Sequence, residues 1–317
     1  MQRSKPIMTK KTHTYPLKTT LAAIFIIVAV ILGVYGAGIY QIYHFNGKME
    51  IPEGDENVIL RIHPDEKGYV YTIVGIPYTI DMGSRHSFIT PHTLEILKQH
   101  GIDGEEQQTL LYTTDQSGHY NFYTRKVVRP MYFFPNATST DTVTFNKVEM
   151  MISDREEGNV LGMDFLEKFV IEYDNDTRTI SLLRHVPEGY SYVCDLNGHD
   201  SAIGDLFGYS RRVYVPLKVN DEDPQNYYLD TGRGIRNCEL VQPLKDIGKA
   251  TSPILTDSVT GLEVQPNCRV QIGDRMRFAR VTYSDSLHTD EYSVNPFRVF
   301  NHSIVLDLPA KKLYYHK

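Results

Sequence analysis

Two acidic triplets carry the chemistry available to this chain. Asp230-Thr231-Gly232 follows the strand-like run Tyr227-Tyr228-Leu229, and Asp81-Met82-Gly83-Ser84 follows Tyr78-Thr79-Ile80. An apolar strand ending in Asp-X-Gly delivers a carboxylate to a tight loop. Two such loops can bring two carboxylates face to face. A carboxylate pair activates water without a metal or a covalent nucleophile, one acid acting as base while the other holds the proton. The plain alternative is turn chemistry, because Asp and Gly also end strands with no catalytic role.

Other chemistries find less support. There is no Cys-X-X-Cys and no His-Glu-X-X-His, and the twelve histidines are scattered, so no metal site is expected. No Gly-X-Ser-X-Gly elbow and no phosphate loop is present; Gly232-Arg233-Gly234 is followed by no helical pattern. The expected cofactor is none. A net charge of -6 argues against nucleic acid as a partner. Cys194, Cys238 and Cys268 form no metal motif; in an exported protein Cys238 and Cys268 either pair or stay buried thiols. Asn136-Ala137-Thr138, Asn175-Asp176-Thr177 and Asn301-His302-Ser303 match glycosylation sequons, or arise by chance.

The elements that must position the two acids read as strands. Tyr is abundant (22) and Trp absent, and runs rich in Tyr, Val, Ile and Thr favour β structure. The 317 residues suit about two domains. A helix is expected at Thr90 to Lys98, capped by Thr90 with Pro91 in its first turn. The text also repeats. Val160 to Asp174 aligns with Val294 to Asp307 at an offset of 133, and each segment turns into a closing strand, Thr179–Leu183 and Lys312–Tyr315. Val70-Tyr71 aligns with Val213-Tyr214 at 143, and Asp81 with Asp230 at 149, which implies six extra residues in the second copy before its acid. After the acid the second copy is 16 residues shorter, the difference between 149 and 133. Internal duplication explains this ordered recurrence; chance likeness of β-rich text is the alternative. The lobes are expected at 58–185 and 210–317, joined by a Gly- and polar-rich stretch at 186–209.

The N-terminus reads differently. Residues 1–18 hold five basic residues and no acid, and no Asp, Glu, Lys or Arg occurs from Thr19 to Gly47. A transmembrane helix at 19–43 follows, with a basic cytoplasmic tail before it, a polar linker at 44–57 after it, and an exported C-terminal bulk, periplasmic or extracellular. A cleaved signal peptide is the rival reading, given Gly36-Ala37-Gly38, and a buried core helix the third. Gly33-X-X-X-Ala37 either lets two such helices approach as a homodimer or is ordinary small-residue text.

Taken together, a strand, Asp-Thr/Ser-Gly, a long β stretch, Val160-Leu161-Gly162, a short helix and a closing strand, present twice, resemble the pepsin and retropepsin aspartic proteases over residues 58–317. The resemblance implies a mainly β fold of two acid-protease barrel lobes and an aspartic endopeptidase acting on an extended peptide or protein substrate. It implies Asp81 and Asp230 as the catalytic pair, with Gly83, Ser84, Thr231 and Gly232 as supporting loop residues and the Ser84 hydroxyl bonded to its neighbouring Asp. A flap with its turn at Ser117-Gly118 would place Tyr112 or Tyr120 at the substrate; both tyrosines also fit a half-buried strand. Three positions depart from the pattern: Met82 replaces a hydroxyl residue, Arg233 follows the second Gly, and Asn295 stands where Gly162 stands in the first copy, where its tolerance of unusual backbone angles would let the loop form. These departures leave open a catalytically inactive pseudoprotease that binds peptide or a partner in the cell envelope. A purely structural envelope protein is a third reading.

Overall fold

The computed structural model describes residues 17–45, 49–66, 68–114, 120–134, 142–154, 158–198, 212–232, 239–284, 292–300 and 302–316; side chains at 17–18, 37–45, 110–114 and 120–122 lie outside the description. Helix α1 (Leu17–Phe45) and the β-rich remainder are separate compact units. The window Thr19–Gly36 has a mean hydropathy of 2.4 and buries nothing. Twenty-nine residues at about 1.5 Å each exceed a hydrocarbon core of about 30 Å, so α1 is long and apolar enough to cross a membrane.

The remainder is mainly β. Its first half carries β1 (Val58–Ile62), β2 (Tyr69–Tyr71), β3 (Pro77–Ile80), β4 (Phe88–Ile89), β5 (Glu105–Thr114), β6 (Tyr120–Phe133), β7 (Val143–Ile152), β8 (Val160–Leu161), β9 (Val170–Asp174) and β10 (Thr179–Leu183). Helix α2 (Pro91–Gln99) follows β4 and the single turn α3 (Met163–Leu166) follows β8. The second half carries β11 (Tyr190–Asp195), β12 (Asn197–Gly198), β13 (Val213–Val219), β14 (Gln225–Leu229), β15 (Leu240–Gln242), β16 (Leu255–Thr256), β17 (Glu263–Ile272), β18 (Arg275–Tyr283), β19 (Tyr292–Val294), α4 (Pro296–Val299), β20 (Ile304–Asp307) and β21 (Lys312–His316).

These strands form one barrel-like sheet per half and one sheet that both halves share. In the first lobe the order is β2-β3-β8-β4-β7-β6-β5, and an isolated bridge from Thr72, just after β2, to Phe133 of β6 curls it toward closure. In the second it is β12-β13-β14-β19-β15-β18-β17-β16, closed by β13 pairing with β17. The shared sheet runs β1-β10-β9-β20-β21-β11. Its centre has a symmetric register: Ile171 pairs with Leu306, Glu172 with Val305 and Tyr173 with Ile304. Adding 133 to one member of each pair and subtracting it from the other returns the same set of pairs. A pseudo-two-fold axis therefore passes between Glu172 and Val305. The flanking hairpin turns obey the same offset. Arg178 and Lys311 both take a left-handed conformation (φ 53 and 54), which closes a four-residue loop.

The structure revises one alignment. Val70 pairs with Tyr78, and Val215 pairs with Tyr227, the residue 149 beyond Tyr78. Val70 thus corresponds to Val215, an offset of 145 rather than the expected 143. The second hairpin is longer by four residues, not six. A slip of two preserves which face each side chain takes, so hydropathy alone does not register it. Residues 49–57 also differ from a plain linker. Glu50 pairs with Asn146, Met49 and Ile51 pack on the core, and the Arg184 Nε donates to the Glu56 carbonyl at 3.2 Å. Helix α2 forms as expected, with the Thr90 hydroxyl accepting from the Thr93 amide at 3.1 Å. Cys268 is a buried free thiol whose Sγ donates to the Gln265 carbonyl, and Cys194 is also free; Cys238 lies outside the described residues. Of the sequons, Asn175 spends its side-chain amide on the Phe300 carbonyl (2.8 Å), while Asn136 and Asn301 lie outside the described residues.

Candidate active site

Strands β3 and β14 deliver the two acids, and parallel partners fix where each strand stops. Thr79 and Ile80 pair with Val160 and Leu161 of β8; Tyr228 and Leu229 pair with Ser293 and Val294 of β19. The Asp81 amide donates to the Leu161 carbonyl and the Asp230 amide to the Val294 carbonyl, each at 2.9 Å. Ile80 and Leu229 anchor the strand ends in the core, at 5% and 1% exposure. Each acid therefore leaves a pinned strand at the equivalent register in its lobe.

The lobes bring the acids together. A Cβ built on Gly83 would lie 2.7 Å from Asp230 Oδ1 and 2.9 Å from Asp81 Oδ1, so the two oxygens are at most 5.6 Å apart, the sum of those distances. One water with two hydrogen bonds of about 2.8 Å spans that separation. A Cβ on Gly232 would sit 2.0 Å from Asp81 Cγ. Gly83 and Gly232 are needed for space, since any side chain there would displace a carboxylate.

Electrostatics follow from that enclosure. Burial pushes the Asp81 carboxyl up to about 7, with the Asp230 charge adding to it; the amides of Gly83, Ser84 and Gly232 partly oppose the rise by favouring the charged form. The Gly83 amide lies 2.7 Å from Asp81 Oδ1, and the Gly232 amide 3.2 Å from Asp230 Oδ1. Two carboxylates this close do not ionise independently, and the titration belongs to the pair.

The second lobe grips the first. Thr231 Oγ1 donates to the Ile80 carbonyl (2.8 Å) and accepts from the Met82 amide (3.0 Å). Met82 returns no such side-chain bond; it is buried at 1% exposure. The Tyr228 hydroxyl instead donates to the Gly83 carbonyl at 2.5 Å.

Other expected site residues fall as follows. The Ser84 hydroxyl does not bond Asp81. It donates to the His86 carbonyl at 2.7 Å, because the loop turns it away; the Ser84 amide is the group that faces the carboxylate. Asn295 takes ordinary extended angles (φ -89, ψ 104) and caps α4 by accepting from the Phe297 amide at 3.1 Å, so capping explains it rather than tolerance of unusual angles. Gly162 is required for room: a Cβ there would meet the His86 carbonyl oxygen at 2.4 Å. Tyr112 and Tyr120 lie on paired strands β5 and β6, where Thr114 pairs with Tyr120; the turn at Ser117-Gly118 and Arg233 lie outside the described residues. At this place in the sheet order the hairpin is long, among the described residues, in the first lobe only. The corresponding strand of the second lobe, β16, has two residues against ten in β5.

Three supporting residues were not anticipated. Ser87 Oγ donates to Asp164 Oδ1 (2.6 Å) and accepts from the Gly162 amide (3.0 Å), which ties the first loop to α3. Their only sequence signal is a Ser shortly after one acid and an Asp shortly after Gly162. Tyr228 is the third. Its position two residues before an acid places it on the opposite face from Tyr227 and Leu229, toward the other lobe.

No family model matches the chain, and no curated protein matches it. Among solved structures, an aspartic proteinase from Irpex lacteus is similar over 80% of this chain and 96% of its own, with 10% identity and a TM-score of 0.50. Conglutin gamma, a basic 7S globulin from lupine seeds, is similar over 81% of this chain and 94% of its own, with 8% identity and a TM-score of 0.50. The fold is therefore the bilobal, pepsin-like one.

Proposed function

We propose that this chain is an aspartic endopeptidase held at a membrane by α1. The observation that carries the reading is the pair of carboxylates, Asp230 buried and Asp81 half-buried, whose oxygens flank one point at the lobe interface, no more than 5.6 Å apart by the sum of 2.7 and 2.9. One water between them is activated as follows. The charged member of the pair takes a proton from the water as its oxygen attacks the peptide carbonyl. The protonated member, favoured at Asp81 by burial, gives its proton to the carbonyl oxygen. The product is a neutral gem-diol, which collapses with cleavage of the C–N bond and proton transfer to the departing amine. No acyl-enzyme forms. An extended peptide would lie under the β5–β6 hairpin and pair with it through backbone bonds.

The same acids in an inactive, peptide-binding cleft are the second reading. Met82 favours it, since a one-sided grip holds the loops less tightly, and a small misplacement of catalytic groups can cost far more rate than stability. Export of the β-rich unit with the basic tail on the cytoplasmic side is proposed from charge asymmetry. Descent of the two halves from one duplicated lobe is proposed from the shared offset of 133.

The test is incubation of a peptide library with the full-length protein from pH 4 to 8, with and without a statine-containing peptide inhibitor. Internal cleavage that the inhibitor blocks, and that fades as pH rises through about 7, is expected. Inhibitor binding without cleavage at any pH would favour the inactive cleft and reject the enzyme.

A further inference from the structure

We propose that Tyr228 is a positioning residue for the carboxylate pair: its hydroxyl, donated across the lobe interface to the Gly83 carbonyl, holds the peptide unit whose Ser84 amide faces Asp81.

Three observations converge on this role. The first is the bond itself, 2.5 Å to the Gly83 oxygen from a tyrosine only 8% exposed. The second is the chemistry of the accepting group. The Gly83 carbonyl and the Ser84 N–H belong to one peptide plane; that N–H donates to the Asp81 main-chain carbonyl at 3.2 Å and, beside the carboxylate, favours its charged form. A hydrogen bond accepted at one end of a peptide strengthens the dipole at the other, so the phenol both fixes and polarises the N–H that favours charged Asp81. The third is the gap that the bond fills. Thr231 fastens Ile80 and Met82 of the first loop, but Met82 has no hydroxyl with which to fasten the second. The corresponding position in the first lobe, 149 residues before Tyr228, is Thr79, too short to make the same reach. At the two acid-bearing loops the side-chain grip described thus comes from the second lobe, through Thr231 and Tyr228.

The surroundings keep the phenol in place as a neutral donor. The Arg212 guanidinium lies 5.2 Å from the centre of its ring, and the Tyr214 ring lies 5.5 Å away. Burial, then the charges of Asp230 and Asp81, raise the phenol well above its ordinary titration range, against the opposing influence of Arg212 and Arg85. Simple packing would be served equally by phenylalanine. The hydroxyl is the part that needs explaining, and it points at the catalytic loop.

The inference rests on the peptidase reading for its kinetic readout only. The experiment compares Tyr228→Phe with the unaltered full-length protein. Losing the hydroxyl weakens the support that the Ser84 amide gives to charged Asp81, so the proton is held more tightly. The neutral limb of the kcat/KM profile should move to higher pH by roughly half a unit or more, and kcat should fall roughly tenfold or more, with little change in KM. Met82→Thr added to Tyr228→Phe should recover rate by supplying a second cross-lobe hydroxyl, while leaving the limb displaced. A rate loss with an unmoved limb and a matching fall in Tm would reduce Tyr228 to a structural residue and overturn the proposal. An unchanged profile would overturn it equally. If the unaltered protein cuts no peptide, the peptidase reading fails, but carbon-13 titration of the Asp81 carboxyl still decides this one: an upward move in Tyr228→Phe supports it, and no move overturns it.

Discussion

Asp81 is held in a site that favours its neutral form, which has a consequence for stability as well as for catalysis. Burial, with the Asp230 charge beside it, pushes its carboxyl up to about 7 in the fold, whereas an unfolded Asp titrates at about 4. Between those values the native state binds more protons than the unfolded one, so stability falls as pH rises across that window. Asp81→Asn should flatten that part of the pH–stability curve, read by denaturant unfolding at pH 4.5 and pH 7.5. A slope equal to that of the unaltered protein would mean that Asp81 is not the acid that holds the proton. Gly232 gives a second prediction at this scale. A methyl group 2.0 Å from Asp81 Cγ must move the carboxylate, so Gly232→Ala should remove cleavage at least a hundredfold. The control is Gly248→Ala, where an added Cβ meets nothing within 4 Å and activity should stay unchanged. The acids and their glycines were legible in the sequence because Asp-X-Gly after an apolar strand is local text. The direction of the Ser84 hydroxyl was not, since it depends on how the loop to His86 folds back. Tyr228 was visible only as a strand residue: alternation gave its face, but not the carbonyl opposite.

Among the elements, the parallel pairings β3–β8 and β14–β19 do the positioning. Each presents an amide to a carbonyl at the point where its acid leaves the sheet. The Val160-Leu161-Gly162 text made the first of these recognisable, and the offset of 133 pointed from it to Val294. The exact β2–β3 alignment was hidden, since a two-residue slip leaves the buried face buried. The β5–β6 hairpin is the element expected to cover substrate. Replacing residues 112–122 by a two-residue Asn-Gly turn, which leaves Leu111 opposite Tyr123, should raise KM or lower kcat by at least about tenfold, with Tm nearly unchanged, because the register of the remaining strands is kept. Normal kinetics in that variant would remove the hairpin from the mechanism.

At the scale of the whole molecule, the shared six-stranded sheet makes two lobes into one machine. Its pseudo-two-fold pairing about Glu172 and Val305 sets the lobes so that equivalent loops meet. The offset of 133 between the closing segments could be read in the sequence. That the same number governs pairing across the central strands could not, because pairing partners are a property of the folded sheet. Helix α1 gives the prediction that belongs here. The full-length protein should stay with membranes through alkaline carbonate washing and enter solution with detergent, whereas release by carbonate would contradict a spanning anchor. The account as a whole is tested most directly by the turnover of one internally cleaved peptide by the unaltered protein, Asp81→Asn and Asp230→Asn, at matched Tm. It predicts measurable hydrolysis by the unaltered protein and none above background by either variant. Full turnover by Asp230→Asn would contradict it.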